Sequence, residues 1–328
     1  MIYSDPKDQR IDDEALAAFG QAYGQRATSL PPVAIVIAAY NEAGAIGPVI
    51  EALPKDVCGL ATETIVVADG CADDTAKEAT TAGAMVADVP VNRGQGAALR
   101  LGYRLAREGG AQYIVTTDAD GQYNPAEIER VLAPIVAGEA DFVTGSRRLG
   151  SQETKDFIRR AGVLFFATSL SVLTGQRISD TTFGLRAMRA EVTGAVRLEQ
   201  PQYQASELLI GVITHGYRVV ERPATIHKRQ VGKSKKGNNA FYALQFAKVV
   251  GTTWWRERQR RGSVSAASGA TGAEAAERPA AGPVASANGA GSTAAATSSA
   301  SGSSAPDSSV SDDASLAERG PRRSAKST

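Results

Sequence analysis

The chain alternates short, largely apolar runs with stretches whose apolar residues recur every three or four positions. Continuous apolar runs are typical of strands covered on both faces, and the periodic stretches are typical of amphipathic helices. The pattern predicts strands at "VAIVIAAY" from Val33, "TIVVAD" from Thr64, "AMVADVPV" from Ala84, "YIVTTD" from Tyr113 and "DFVTGS" from Asp141. It predicts helices between them at Ile46–Leu53, Asp73–Ala82, Gly96–Glu108 and Pro125–Ala137. This order indicates an α/β fold with a mostly parallel sheet and helices on both faces.

The second half of the chain, from Lys155, is less regular. We predict an apolar helix over 161–176, a strand at "GLRAMR", a helix at Ser206–His215, a strand at "YRVVERPATIHK", and a last helix at Asn239–Trp255. From Gly262 the sequence consists largely of Ala, Ser, Gly and Pro, which predicts a disordered tail. The expected division is an N-terminal extension (1–31), a folded domain (32–261) and the tail (262–328).

Composition excludes several classes of protein. The chain has 328 residues, with 36 Lys and Arg against 35 Asp and Glu, so net charge identifies no partner. The chain has two cysteines, which favours a protein of a reducing compartment. It has two histidines, which gives little support to histidine-based metal or hydrolase chemistry. The charged N-terminus lacks the apolar segment of a signal peptide, and Ala161–Gln176 is shorter than the ~20 residues of a spanning helix. We therefore expect a cytoplasmic protein.

Two aspartates one residue apart, Asp118 and Asp120, end the fourth predicted strand. Side chains at i and i+2 of a strand point to the same face, so the two charges repel each other unless a cation binds between them. Oxygen ligands favour Mg²⁺ or Mn²⁺, and Mg²⁺ typically takes one or two protein carboxylates together with substrate phosphates. The pair fits equally well an aspartate-rich turn before the next helix. An EF-hand loop does not fit, because its required glycine is replaced by Tyr123.

Glycines 94 and 96 open the predicted helix in "NRGQGAALRLGY". Such glycines let backbone amides approach a phosphate or a base, and they are equally typical of a helix that starts in a tight turn. A dinucleotide-binding motif requires glycine where Leu99 stands, so NAD binding has little support.

A basic segment, "HKRQVGKSKKG" at 227–237, concentrates lysine and arginine around two glycines. Its composition suits a phosphate, although runs of this kind are also typical of solvated or nucleic-acid-binding surfaces. The "GKS" within it is not a P-loop, because the first required glycine falls on His227.

Taken in order, the motifs resemble those of the family 2 glycosyltransferases with a GT-A fold. They are "AAYNE" (38–42), "VADGCADDT" (67–75), "NRGQGAA" (92–98), "DADGQ" (118–122), "GSR" (145–147), "SDTTFGLRAM" (179–188) and "RQVGKSK" (229–235). Within that family the chain is similar to the polyprenyl-phosphate, or dolichyl-phosphate type, mannosyl- and glucosyltransferases. The resemblance covers about Pro32–Gly237. The chain departs from the family pattern at Ala38, where proline is usual, and at Ala68, where one nucleotide-side carboxylate is missing.

The resemblance implies roles for the matching positions. It places a nucleotide-sugar donor at Ala38, Tyr40, Glu42, Asp69, Arg93, Gly96, Asp118, Ala119, Asp120, Gln122 and Arg147. It places the Mg²⁺ or Mn²⁺ ion at Asp118, Asp120 and Gln122. It assigns the acceptor phosphate to Arg229, Ser234 and Lys235, and the catalytic roles to Asp120, Asp180, Glu207 and Arg229.

The reaction implied is metal-dependent transfer of a hexose, with inversion, from a UDP- or GDP-sugar to a polyprenyl phosphate. A soluble or polysaccharide hydroxyl acceptor is the alternative within the family, and it would need Asp180 or Glu207 as a general base. A non-catalytic nucleotide-sugar sensor is an alternative from another class.

A lipid acceptor predicts peripheral binding at the inner face of the cell membrane, or a membrane partner protein, in the synthesis of cell envelope glycans. The apolar segment 161–173 and the sequence "TTWWRERQRR" at 252–261 suit a membrane interface. A core helix and a solvated terminal helix explain the same segments. No nucleic-acid partner is expected.

Overall fold

The computed structural model describes residues 5–152, 164, 167–172, 174–200, 204–227, 248–257 and 259. Within these residues one eight-stranded sheet forms the centre of the fold. Its strands are β1 (Val33–Ala39), β2 (Asp56–Val57), β3 (Leu60–Asp69), β4 (Met85–Val89), β5 (Tyr113–Asp118), β6 (Phe142–Gln152), β7 (Arg186–Arg189) and β8 (Val219–Ile226).

The sheet is mostly parallel, as predicted. The strand order is β2-β3-β1-β5-β7-β6-β8, and β4 also pairs with β3. The pairs β1–β3, β1–β5, β3–β4 and β6–β8 are parallel. β7 runs antiparallel between β5 and β6, and the short β2 runs antiparallel to β3.

Helices cover both faces of the sheet, which confirms the predicted α/β class. They are α1 (Pro6–Tyr23), α2 (Gln25–Thr28), α3 (Ile46–Glu51), α4 (Thr75–Thr81), α5 (Gln95–Glu108), α6 (Glu127–Val136), α7 (Ala190–Ala195) and α8 (Gln204–Thr214). One core contains side chains of α1, α5, α7 and α8, and the other contains side chains of α3, α4 and α6. β1 serves both, because Ile35 and Ile37 enter one core and Ala34 and Val36 the other.

The largest difference from the predicted elements is α1, which the apolar pattern did not indicate. Asp5 caps this helix by accepting a hydrogen bond from the Lys7 amide at 2.8 Å, and Pro6 suits its first position. Its buried face holds only Asp12, Ala15 and Phe19, too few apolar residues to form a recognisable stripe. The predicted N-terminal extension thus contains a helix that contributes to the core. The domain boundaries themselves stay a prediction.

The topology brings several chain segments to one edge of the sheet. The parallel strands β3, β1 and β5 end there, β7 begins there, and β8 ends there. We call it the carboxyl edge, and it contains Ala39, Asp69, Asp118, Arg186 and Ile226. In sheets of this kind ligands bind at the carboxyl ends of the parallel strands.

No helix in the described ranges is long and apolar enough to cross a bilayer. The apolar helix predicted over 161–176 is described at 164, 167–172 and 174–176, and residues 167–172 are helical. Of the helix predicted at Asn239–Trp255, the structure describes the helical residues 248–257.

Candidate active site

The predicted acidic pair lies at the carboxyl edge. Asp118 is the last residue of β5, and Asp120 follows in a turn that Gly121 completes with a φ of 71°. Oδ1 of Asp118 accepts a hydrogen bond from Nε2 of Gln95 at 3.2 Å, and Oδ1 of Asp120 accepts one from the Gln122 amide at 3.1 Å. These hydrogen bonds hold both carboxylates in place.

Tyr123 and Gly184 pack beside Asp118, and neither was predicted as a residue of the site. The Gly184 amide donates to the Tyr123 hydroxyl at 2.9 Å. A Cβ atom at Gly184 would lie 2.6 Å from Oδ2 of Asp118 and 2.7 Å from the Tyr123 hydroxyl. Burial, and then the charge of Asp118, raise the pKa of Tyr123 well above its ordinary value. The sequence feature that could have indicated this close packing is the glycine in the motif "SDTTFGLRAM".

A cleft of about 500 Å³ adjoins the two aspartates. Pro48, Val49 and Leu53 line it on the α3 side, and Ile128 of α6 and His227 also contribute. The acidic pair therefore borders a space large enough for part of a small-molecule ligand.

Gln122 connects the acidic turn to the end of β8. Its Nε2 donates to the His227 carbonyl at 2.9 Å, and the His227 amide donates to the Gln122 carbonyl at 2.9 Å. His227 is the first residue of the basic segment 227–237, so that segment begins next to Asp120. Residues 228–237, with the predicted Arg229, Ser234 and Lys235, lie outside the described residues.

The predicted metal ligands supply oxygen only. Among the described residues no group of three or more His, Cys, Asp or Glu side chains is placed to hold a metal. Two carboxylates and one amide oxygen suit Mg²⁺, which typically takes few protein ligands when substrate phosphates provide others. Asp118, Asp120 and Gln122 therefore fit the ion that the resemblance implies.

The loop after β1 is shaped by hydrogen bonds to the neighbouring turn. Asn41 has a φ of 51°, and its Oδ1 accepts a hydrogen bond from the Ala72 amide at 2.8 Å. The Glu42 amide donates to Oγ1 of Thr75 at 2.8 Å. Tyr40 is 40% exposed at this edge and can contact a ligand.

Asp69 and Arg93 form a buried pair at the end of β3. Oδ2 of Asp69 accepts hydrogen bonds from the amides of Arg93 and Gly94 at 2.7 and 2.8 Å. Burial raises the pKa of Asp69, and these amides oppose the effect. Asp69 therefore shapes the glycine loop as well as lying where the resemblance places the nucleoside.

Three of the predicted donor positions have clear packing roles. A Cβ atom at Gly96 would overlap the carbonyl oxygen of Gln200, so close packing explains this glycine. Ala119 is buried in the core, and Ala38 lies beside Asp118 in the pairing of β1 with β5. Contact between these residues and a donor stays a prediction.

The predicted catalytic Asp180 pairs with the predicted donor residue Arg147. Their Oδ2 and Nε atoms are 2.6 Å apart, and both side chains are buried. The Arg147 guanidinium also lies 5.6 Å from the centre of the Phe183 ring. The Asp180 amide donates to Glu221 at 2.9 Å. Asp180 is thus fixed by an ion pair, which favours a positioning role.

Glu207 is also held in an ion pair. Its Oε2 accepts hydrogen bonds from the amides of Glu199 and Gln200, each at 2.9 Å, and its Oε1 lies 3.1 Å from Nη2 of Arg256. These contacts fix the chain that packs against Gly96. They favour a structural role, and the predicted catalytic role stays a prediction.

Glu207→Gln should change how stability depends on pH. Burial, opposed by the Gln200 amide and then by Arg256, raises the pKa of Glu207. Between the unfolded-state and folded-state pKa values of Glu207, the folded protein binds more protons than the unfolded protein does. The contribution of Glu207 to the free energy of unfolding therefore falls as pH rises through that window. The wild-type minus variant difference in unfolding free energy should therefore decline as pH rises from about 4.5. Urea titrations of both proteins measure it, and a difference that grows with pH would contradict the assignment.

Comparison with known proteins identifies the family of the chain. The model of the family described as "Glycosyl transferase family 2" matches residues 34–196. The dolichyl-phosphate hexose transferase of Haloferax volcanii is 32% identical over 203 residues, which cover 62% of this chain and 86% of that protein. The undecaprenyl-phosphate mannosyltransferase of Micrococcus luteus is 29% identical over 238 residues, which cover 68% of this chain and 93% of that protein.

A solved structure shares the fold. The glucosyl-3-phosphoglycerate synthase of Mycobacterium tuberculosis, in complex with Mn²⁺, UDP and phosphoglyceric acid, aligns with a TM-score of 0.54 and 20% identity. The alignment covers 73% of this chain and 82% of that one. The expected GT-A fold is confirmed. The chain belongs to the family 2 glycosyltransferases and is a sugar-transferring enzyme.

Proposed function

We propose that the enzyme transfers a hexose, with inversion, from a UDP- or GDP-sugar to a polyprenyl phosphate. The observation that carries this proposal is the contact of Gln122 with His227, which joins the acidic turn to the start of the basic segment. A diphosphate leaving group and a phosphate acceptor both need cations close together, and the segment that carries Arg229 and Lys235 follows directly on His227 in the sequence. The names of the Haloferax and Micrococcus relatives support a polyprenyl-type phosphate as the acceptor.

Asp118, Asp120 and the side-chain oxygen of Gln122 would hold Mg²⁺ or Mn²⁺. The ion would stabilise the negative charge that builds on the leaving nucleoside diphosphate. The complex of the mycobacterial synthase with Mn²⁺ and UDP supports this choice of ion and donor. Arg229 and Lys235 of the basic segment would bind the diphosphate directly through their positive charge.

The surroundings of Asp180 and Glu207 favour a phosphate acceptor over a hydroxyl acceptor. A lipid monophosphate is already anionic near neutral pH, with a second pKa of about 6, and needs no strong general base. A neutral hydroxyl does need one. Both candidate bases are bound to arginines, Asp180 to Arg147 and Glu207 to Arg256. Arginine and backbone-amide donors already occupy both oxygens of each carboxylate, so an acceptor hydroxyl would have to displace them.

A panel of UDP- and GDP-hexoses tests the proposal. Each donor is incubated with the protein and either polyprenyl phosphate or the matched neutral polyprenol, with Mg²⁺, with Mn²⁺ or with EDTA, and products are identified by mass. We expect a hexosyl-phosphate lipid from the phosphate acceptor alone, and its loss in EDTA. Transfer to the polyprenol or to a soluble sugar would favour the hydroxyl alternative. Nucleotide binding without transfer would favour a sensor.

Exposed apolar side chains support peripheral binding to a membrane. Trp255 is 60% exposed and Val172 is 79% exposed, whereas Trp254 packs against the core. An exposed tryptophan beside basic residues suits the interface of anionic lipids. Trp255→Ala should therefore weaken binding to anionic vesicles about tenfold, and Val136→Ala, an exposed apolar control on α6, should not. Sedimentation with vesicles measures this, and a wild-type protein that stays unbound would contradict it.

A further inference from the structure

Helix α1 buries a carboxylate against the start of α5. The Asp12 side chain is 0% exposed, and carboxylates are seldom fully buried unless they are paired. Its Oδ1 lies 2.7 Å from Nη1 of Arg93, and its Oδ2 lies 3.2 Å from Nε of Arg100. Asp8, one turn earlier, adds an ion pair with Arg100 at 2.9 Å. The N-terminal helix is therefore tied by charge to the loop that carries Arg93.

Arg93 is shared unequally among three carboxylates, of which Asp8 is the most distant, at 4.0 Å from Nη1. Its Nη1 is 2.7 Å from Asp12, but its Nε is 3.6 Å from Oδ1 of Asp69, which is too far for a hydrogen bond. The Arg93 and Asp69 side chains are only 6% and 3% exposed. Even so, neither Oδ1 of Asp69 nor Nη2 of Arg93 has a hydrogen-bond partner among the described residues. Buried polar atoms without a partner are rare, and these lie at the carboxyl edge.

We propose that Asp12 is a positioning residue for the donor site. It holds the Arg93 guanidinium in the shorter ion pair, so that Oδ1 of Asp69 stays able to accept a hydrogen bond from the donor's nucleoside. Ribose hydroxyls and the ring N–H groups of uracil and guanine are donors that a carboxylate accepts. The inference rests on the proposed nucleotide-sugar donor and adds a contribution from a helix outside the region that the family model matches.

The charge of Asp12, more than its shape, is what this arrangement requires. Without that charge the nearest carboxylate to the Arg93 guanidinium is Asp69, because Oδ1 of Asp8 is 4.0 Å away, and the 3.6 Å separation of Nε and Oδ1 closes into a hydrogen-bonded ion pair. The nucleoside must then displace Arg93 before Asp69 can accept its hydrogen bond. Nucleotide affinity should fall, although no residue that touches the nucleotide has been changed.

Asp12→Asn tests the proposal, because asparagine keeps the size and an oxygen acceptor but removes the charge. With UDP and GDP as probes and Mg²⁺ present, calorimetry should give a Kd about tenfold higher than that of the wild type. In the transfer assay the KM for the nucleotide sugar should rise by a similar factor. The KM for polyprenyl phosphate and kcat should stay nearly constant, a split that general destabilisation would not produce.

Arg100→Gln and Asp13→Asn are the matched controls. Arg100→Gln breaks the other half of the same buried network, so it should lower the melting temperature and leave the nucleotide Kd unchanged. Asp13→Asn removes an exposed carboxylate of α1 that pairs with Arg104, and it should change neither quantity. If Asp12→Asn alone does not fold, the double variant Asp12→Asn/Arg100→Gln is compared with Arg100→Gln, and the same tenfold rise is expected.

Two results would overturn the proposal. One is an Asp12→Asn protein that binds UDP and GDP as tightly as the wild type. The other is an Arg100→Gln protein that loses as much affinity as Asp12→Asn, since the whole network would then act only through stability. A wild-type protein that binds neither nucleotide would contradict the proposed donor itself and remove this inference with it.

Discussion

Replacing Asp120 with asparagine should lower kcat/KM for sugar transfer about a hundredfold to a thousandfold. The carboxylate lies in the turn after β5, is only 5% exposed, and is one of two acidic side chains proposed to bind the ion that stabilises the leaving diphosphate. Asparagine keeps the acceptor for the Gln122 amide, so the turn should keep its shape. Removing one of two like charges also relieves repulsion with Asp118. The melting temperature should therefore not fall while activity does.

Asp74→Asn is the matched control for this change. Asp74 precedes α4, and its side chain is 72% exposed and paired only loosely with Lys77 at 4.0 Å. Its neutralisation should leave kcat/KM within about twofold of the wild type, as for most surface substitutions. Initial rates over a range of Mg²⁺ concentrations compare the three proteins. An Asp120→Asn enzyme with wild-type rates would mean that the pair is only an aspartate-rich turn.

Gly184→Ala should lower kcat about a hundredfold without contributing or removing any charge. The added methyl group would lie 2.6 Å from Oδ2 of Asp118 and 2.7 Å from the Tyr123 hydroxyl, so the carboxylate has to move. A displacement of about 1 Å at a catalytic group can cost a factor of about a hundred in rate. The metal concentration needed for half-maximal activity should rise as well, because Asp118 is one of the proposed ligands.

Gly20→Ala is the control for the added methyl group. Gly20 lies in α1 with no atom within 4 Å of the position a Cβ would take, so alanine should fit and stabilise the helix by roughly 0.5–1 kcal/mol. Activity should be unchanged in this variant. If Gly184→Ala kept full activity at a wild-type metal requirement, the position of Asp118 would not matter for the reaction.

The parts of the fold and the site that follow from local pattern could be predicted from the sequence. β1 is apolar at every position and β5 at its first three, because helices cover both of their faces, and the limits of both strands were predicted to within a residue. Asp118 and Asp120 were found because a charged pair that ends a buried strand is visible in the sequence alone. The wider set of donor positions depended on the resemblance to the family.

Features that depend on distant parts of the chain could not be predicted. β7 lies antiparallel between β5 and β6, and its sequence does not indicate which strands it pairs with. The close approach of Gly184 to Asp118 was therefore not predicted. Asp12 binds Arg93 across 81 positions of sequence, and a lone aspartate in a charged helix looks like a surface residue. Glu207 pairs with Arg256 across 49 positions of sequence, a contact that local pattern does not indicate, and its predicted catalytic role stays a prediction.

Calorimetric titration with UDP and GDP measures directly whether Asp118 and Asp120 bind a divalent ion together with the donor's diphosphate. Wild-type protein and the Asp118→Asn and Asp120→Asn variants are each titrated with Mg²⁺ and again in EDTA. We expect Mg²⁺ to strengthen the binding of at least one nucleotide to the wild type, and we expect either substitution to remove this effect. Equal affinities with and without the ion in all three proteins would contradict this expectation.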